Sequence, residues 1–261
     1  MDKTTTELEL KISGGRIVSA NVLDNGICKL TIETTVAEDV LKDIKDNFVL
    51  IEASKLSLDD DFMKYDPDWE EKGFKNMLCE TIKSGVKDFY RPVLDPSFND
   101  DGTGICYEFG KKPAVGKSYN WWEKAAKKFD SSCRLGTRYE YVAFLGVLIK
   151  KLVENGWSLS NAWKAVCKDS KALGHYSNSW NKKNAYEDTG SREVCGFFDL
   201  ANTFKILSED DKTGVLFWLA GGGYYGHSDN YPLAGLRYDF YRDCDRNDSV
   251  GWLVFDATEI K

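Results

Sequence analysis

Arg134-Leu135-Gly136-Thr137-Arg138-Tyr139-Glu140-Tyr141 opens the stretch whose reading decides the fold. Thr137 and Glu140 have capping-box spacing: a threonine hydroxyl can accept from the third helical amide while the glutamate reaches back to the cap. Val142, Leu145, Leu148, Ile149 and Leu152 then recur at helical intervals, which predicts a well-marked amphipathic helix. Upstream, Asn120 with Glu123 repeats the cap signal ahead of Trp122, Ala125, Ala126 and Phe129. Downstream, Ser158 or Ser160 can cap a helix whose face is Leu159, Ala162, Trp163, Val166 and Cys167. From Gly174 onward the helical period fails, and only Phe197-Phe198 and Val215 to Ala220 form short apolar runs. Helices in the middle and strands at the end predict an α+β class.

The N-terminal side reads as β structure. Leu8, Leu10 and Ile12 alternate with polar residues, Gly14-Gly15 breaks the run, and Val18, Ala20 and Val22 resume the same period of two. Asp24-Asn25-Gly26 supplies a turn, after which Cys28, Leu30 and Ile32 alternate again. A short helix around Val40, Leu41 and Ile44 and a strand at Phe48 to Ile51 complete a small unit over residues 1–55, suited to docking or assembly because a chain so short buries little surface alone. A polar junction near 55–67, containing Asp59-Asp60-Asp61 and Asp66-Pro67-Asp68, marks the boundary. The connecting segment 56–84 carries a helix whose stripe is Phe74, Leu78, Ile82, Val86 and Phe89. Residues 85–261 form the main domain, in which 95–104 are turn-formers and predict a loop.

Composition removes several function classes. The 261 residues carry Lys+Arg 35 against Asp+Glu 42, hence 35 − 42 = −7, and only 8 are Arg, which disfavours nucleic acid as a partner. The longest apolar run, Tyr141 to Ile149, falls far below the ~20 residues that span a bilayer, so no membrane insertion is expected. MDKTTTELELK lacks the cationic and apolar regions of a signal peptide, pointing to cytoplasmic synthesis. The 7 cysteines (28, 79, 106, 133, 167, 195, 244) are scattered without a C-x-x-C pair and predict mostly buried thiols in a reducing compartment.

Chemical motifs are few. Gly221, Gly223 and Gly226 spell G-x-G-x-x-G after a strand-like run, but HSDNYPLAG follows instead of the helix a dinucleotide site requires. Asp243-Cys244-Asp245-Arg246-Asn247-Asp248 resembles the start of a calcium loop, yet Asp248 and Val254 stand where Gly and Glu belong. His175 and His227, the 2 histidines, have no spacing motif behind them. Trp121, Trp122, Trp157, Trp163 and Trp180 could form a sugar platform, although those on helical stripes fit a core better. No catalytic residue, metal ligand or cofactor is expected.

One segment departs from chance. Thr213 to Thr258, 46 residues, holds no Lys, whereas the chain's 27 would place roughly 27 × 46/261, about 5, in it. Glu is missing from the same stretch. In Gly222 to Ser249, 23 of 28 residues are Gly, Tyr, His, Ser, Asp, Asn, Arg or Cys. Tyr with small, adaptable polar residues is the vocabulary of a binding surface.

Several segments, in order, resemble the C-type lectin fold of formylglycine-generating-enzyme-type domains, over about residues 85–261. Arg134 to Tyr141 is similar to R-L-P-T-E-A-E-W, and Gly196-Phe197-Phe198-Asp199-Leu200-Ala201-Asn202 to G-L-Y-D-M-x-G-N, one residue short. Ala220-Gly221-Gly222-Gly223-Tyr224 stands where R-G-G-S-W would, and Val250-Gly251-Trp252 where I-G-F-R closes the domain. The copper-dependent enzymes of the family carry two cysteines shortly after G-G-S. Here Tyr225 to Asn230 has none, and Cys244 is a lone, displaced thiol. Neither E-P-N nor W-N-D occurs, so calcium-dependent sugar binding has no support in the sequence.

The compositional gap is similar to what the variable proteins of diversity-generating retroelements carry. The resemblance implies adenine-directed mutagenesis at A-A-pyrimidine codons, which cannot yield Lys, Glu, Gln, Met or Trp. Apart from Trp252, residues 220–255 contain none of these. It further implies a hypervariable region at about 222–249 that binds a variable protein or cell-surface ligand through Tyr224, Tyr225, His227, Ser228, Asp229, Asn230, Arg237, Tyr238, Asp239, Tyr241, Asp243, Asp245, Asn247 and Asp248. Tyrosines would supply contact area, and the acidic residues would favour a basic or amide-rich partner. Gly221, Gly222, Gly251, Trp252 and Phe197 to Leu200 would hold the frame, and display on a virion or cell surface would follow. The alternative is an enzyme on the same fold, of formylglycine-generating type or using Cys244 or a His175/His227 metal site.

Overall fold

A computed structural model describes the backbone of residues 16–22 and 28–33, and residues 47–168, 170–173, 188–191, 193–208, 217–221, 232–239, 241–245 and 249–258. The chain divides into two compact units, Met1–Asp46 and Asn47–Lys261. In the first, β1 (Arg16–Val22) and β2 (Cys28–Glu33) pair antiparallel, from Arg16 opposite Glu33 to Val22 opposite Cys28, as the alternation predicts. The expected strand at Leu8 to Ile12, the turn at 24–26 and the helix at 40–44 lie outside the described residues.

The second unit starts earlier than residue 56. β3 (Phe48–Ile51), expected to complete the N-terminal unit, pairs instead with β4 (Phe89–Pro92), Phe48 opposite Pro92 and Ile51 opposite Phe89. The polar junction at 55–67 is not the boundary either, since it lies within this second unit. Two 3-10 turns, Ala53–Lys55 and Asp61–Lys64, bury Leu56, Phe62 and Met63, and Trp163 Nε1 donates to Phe62 O at 3.0 Å. α1 (Trp69–Ser84) buries Phe74 and Leu78 in the same core. It ends where Gly85 takes φ 69°, so Val86 and Phe89 leave the helix despite their spacing, and Phe89 becomes a buried strand residue.

Three further helices carry caps. α2 (Tyr119–Phe129) is capped by Ser118, whose hydroxyl accepts from Trp121 N at 3.3 Å. Asn120, the expected cap, is already inside the helix because Ser118 is the residue with extended backbone. α3 (Arg138–Glu154) has the predicted box: Glu140 N donates to Thr137 Oγ1 at 3.1 Å and Thr137 N to Glu140 Oε2 at 2.7 Å. α4 (Leu159–Cys167) is capped by Ser158, which accepts from Asn161 N at 3.2 Å. The segment 95–104 is partly a hairpin rather than a plain loop. β5 (Ser97–Phe98) pairs with β6 (Ile105–Cys106), and its turn-formers make the connection.

The class is α+β, with helices packed beside small, mostly antiparallel sheets. One four-stranded sheet runs β3, β4, β14 (Leu253–Asp256), β7 (Arg134–Leu135), so the end of the chain is inserted between segments about 160 and 120 residues earlier. The other runs β12 (Leu236–Asp239), β11 (Phe217–Ala220), β10 (Phe204–Leu207), β13 (Ser249–Gly251), with β10 and β13 parallel. β8 (Glu193–Val194) and β9 (Phe197–Phe198) form a tight hairpin through Cys195 and Gly196, both at positive φ.

Trp252 joins the layers. It is buried against Phe89, Tyr141 and Phe144 with ring centroids 5.8, 5.3 and 6.1 Å away. Gly136 lies so close that a Cβ there would fall 2.3 Å from the Trp252 ring, and one on Gly251 would fall 2.5 Å from Trp122. These contacts fix why both positions lack a side chain. Among the described residues, no helix is long and apolar enough to cross a membrane.

Candidate functional site

Both ends of the unusual segment are anchored on one strand. β10 holds β11 on one side, with Lys205 opposite Ala220, and β13 on the other, with Lys205 opposite Val250. The chain leaves β11 at Gly221, which nests against the segment's interior: its N donates to Gly235 O, and a Cβ would meet Pro232 O at 2.3 Å. Leu233 is buried, with its carbonyl accepting from Tyr141 Oη at 3.1 Å and its N donating to Ser170 Oγ at 3.0 Å. Ala234 N donates to Val166 O at 3.0 Å. Pro232 to Gly235 is therefore frame, and it contains three of the five residues outside the Gly/Tyr/polar vocabulary.

Of the expected ligand-binding residues, Tyr241, Asp243 and Asp245 come together on one exposed turn, with Cys244 between the acids. Tyr241 is 68% exposed. The turn is closed by Cys244 N donating to Tyr241 O at 3.4 Å and is docked on the first turn of α2. Asn120 N donates to Arg242 O at 3.2 Å, and Asn120 Nδ2 donates to Asp243 Oδ1. The Arg242 guanidinium lies 5.4 Å from the Tyr119 ring centre, and Tyr119 stacks on Phe217 of β11 at 5.0 Å. Arg237, Tyr238 and Asp239 lie on β12, paired opposite Leu219, Trp218 and Phe217. Tyr224, Tyr225, His227, Ser228, Asp229, Asn230, Asn247 and Asp248 lie outside the described residues, as does His175.

Sequence reasoning missed Tyr119 and Asn120 as the platform for this turn. The cap-box spacing drew attention to Asn120, but its role is across 123 residues of chain and has no local signature. A groove of about 530 Å³ adjoins the platform, lined by Tyr119, Glu123, Lys124, Lys127 and Arg134 among others. The Arg134 guanidinium is committed elsewhere: it bonds Glu140 at 2.9 and 2.6 Å and also Asp256, ties that hold it charged despite burial.

A second missed group is internal. Asp95, Asp199 and Lys205 are all buried, at 3, 4 and 4% exposure. Lys205 is a charged residue inside the apolar strand Phe204-Lys205-Ile206-Leu207, a signal that was there to be read. Burial lowers its affinity for the proton, an effect opposed by Asp95. Burial and the neighbouring Asp95 charge push the Asp199 carboxyl up to about 6, although Asp95 N and Gly190 N both donate to it.

The thiols bear on the enzymatic alternative. Cys133 and Cys167 are buried, and burial pushes Cys133 up to about 12 and Cys167 well above the usual thiol range. Cys106 and Cys195 are half-buried and also raised, the direction opposite to a reactive thiolate. Cys244 is exposed. Among the described residues, no group of three or more His, Cys, Asp or Glu side chains is placed to hold a metal ion. Comparison with protein-family models, with curated proteins and with solved structures finds no match to this chain.

Proposed function

We propose that the chain is a hypervariable ligand-binding protein, diversified by a retroelement, that recognises a protein or surface ligand through the exposed residues of 222–249. The observation that carries this reading is the exposed turn Tyr241 to Asp245. It presents an aromatic ring and two carboxylates on a backbone held by Asn120, a residue outside the segment. A surface of that kind can change its side chains while keeping its shape. The Lys- and Glu-free composition of the same segment is the second support.

We infer the finer fold to be C-type lectin-like, of the formylglycine-generating-enzyme type. Support comes from the insertion of β14 between β4 and β7, the separate sheet bearing the variable segment, and the buried closing Trp252. Tyr241 supplies contact area with a hydroxyl, while Asp243 and Asp245 select for basic or amide-rich partners. Binding of this kind requires no cofactor.

Sequencing the gene from many sibling genomes tests the proposal. Substitutions concentrated between Gly222 and Ser249, at codons ending in pyrimidine, are the expected result. A segment as invariant as the rest of the chain would overturn it.

A further inference from the structure

Lys205 lies on β10, the strand that holds both ends of the 220–250 segment, and is paired through its backbone with Ala220 on one side and Val250 on the other. Its side chain leaves the sheet and ends among oxygens. Nζ donates to Asp95 Oδ1, to Thr203 Oγ1 at 2.9 Å and to Asp199 O at 3.3 Å. The three protons of the ammonium thus have three acceptors: a carboxylate, a hydroxyl and a carbonyl. The shell is itself braced, since Thr203 Oγ1 donates to Asp95 Oδ2 at 2.8 Å and Asp95 N donates to Asp199 Oδ2 at 3.1 Å. Thr203 is fully buried, so water does not compete for this set.

Such a donor set is what an oxygen-ligated cation requires, with the Asp95 and Asp199 carboxylates nearby to balance the ammonium together with the buried Arg91 guanidinium that also faces them. Three inward oxygens are too few for the ~6–8 that calcium takes, but they match the three N–H bonds of a primary ammonium. We propose that the Lys205 ammonium is a built-in cation clamping β10, which carries both ends of the 220–250 segment, to Asp95. Truncating its side chain would leave a latent site for a free primary alkylammonium ion. This inference goes beyond the proposed function and does not depend on it, because it concerns the frame and needs no ligand at the surface. It also supplies a reason why a charge is kept in the centre of a sheet: the clamp carries its own cation and draws on no metal supply.

The test is thermal unfolding of the full chain carrying Lys205→Ala, in propylammonium chloride and in sodium chloride at equal ionic strength. Removing one partner of a buried pair is expected to lower Tm by about 10 °C. Propylammonium should restore a substantial part of that loss where sodium does not, and should leave the unsubstituted chain unchanged. Lys205→Met, which fills the same volume without charge, should lose stability and not be rescued. Thr203→Val, which keeps the ammonium and removes one of its oxygens, should lower Tm by about 3 °C. If Lys205→Ala does not fold unaided, refolding from urea with and without propylammonium gives the same answer. Absence of rescue, equal rescue by sodium, or a Thr203→Val variant as stable as the unsubstituted chain would each overturn the proposal.

Discussion

Lys205 and Asp243 each carry a charge that must be accommodated, and the two regions they belong to do so in opposite ways. β10 takes its charge inside, where every proton of the ammonium has a protein acceptor and a single lost partner leaves a charge stranded. The 241–245 turn leaves its carboxylates in water, where solvent replaces any partner that is removed. The same contrast holds for the apolar residues: Leu233 is buried, its backbone bonded to Tyr141 of α3 and to Ser170, whereas Tyr241 stands out. Tolerance of substitution is therefore set by residue and not by segment, and the 222–249 region contains both kinds.

The contrast can be broken most severely at Trp252. Trp252→Ala removes a ring packed on Phe89, Tyr141 and Phe144, and is expected to cost about 3–5 kcal/mol in urea unfolding. A loss under ~1 kcal/mol would mean the two layers do not depend on it.

The next effect is a pH dependence. Asp199 has its carboxyl pushed up to about 6 by burial, so the folded chain holds that proton more tightly than the unfolded chain, where a carboxyl titrates near ~3.9. The stability from this proton is whole below about pH 4 and is lost as pH rises through about 6. Asp199→Asn should remove that slope, about 2 kcal/mol across the window, as read by unfolding between about pH 4 and 7. An identical slope in the variant would assign it to another group.

Smaller still is the helix cap. Thr137→Ala deletes the acceptor of Glu140 N and should cost about 1 kcal/mol, while Thr137→Ser should restore most of it. Smallest is Asp243→Ala, which gives up one exposed bond from Asn120 and should change stability by less than about 0.5 kcal/mol. Ligand binding, by contrast, should change at this position. A loss of several degrees in Tm would make Asp243 part of the frame and sharpen the division at its expense.

Local signals were legible in the sequence, and distant pairings were not. α3 and α4 could be read because cap and stripe lie within a few residues of one another. The end of α1 is hidden in the spacing, because Val86 and Phe89 continue a helical period beyond Gly85, whose positive φ ends the helix. The unit to which β3 belongs has no local signature, because its partner, β4, lies about 40 residues on. Turn-forming composition at 95–104 described the tip of a hairpin but not the strands on either side of it. For the surface, composition pointed to Tyr241, Asp243 and Asp245, which are exposed together. It set Leu233 apart from them but could not say what buries it, nor find Tyr119 and Asn120, because those contacts join segments about 90 and 120 residues apart.

The measurement that tests the central claim most directly is a saturation scan of the full chain read by protease resistance. Free substitution at Tyr241, Asp243 and Asp245, with sharp intolerance at Lys205, Leu233, Gly251 and Trp252, is the predicted outcome. Intolerance at the three exposed positions equal to that at the four buried ones would contradict a variable surface carried on an independent frame.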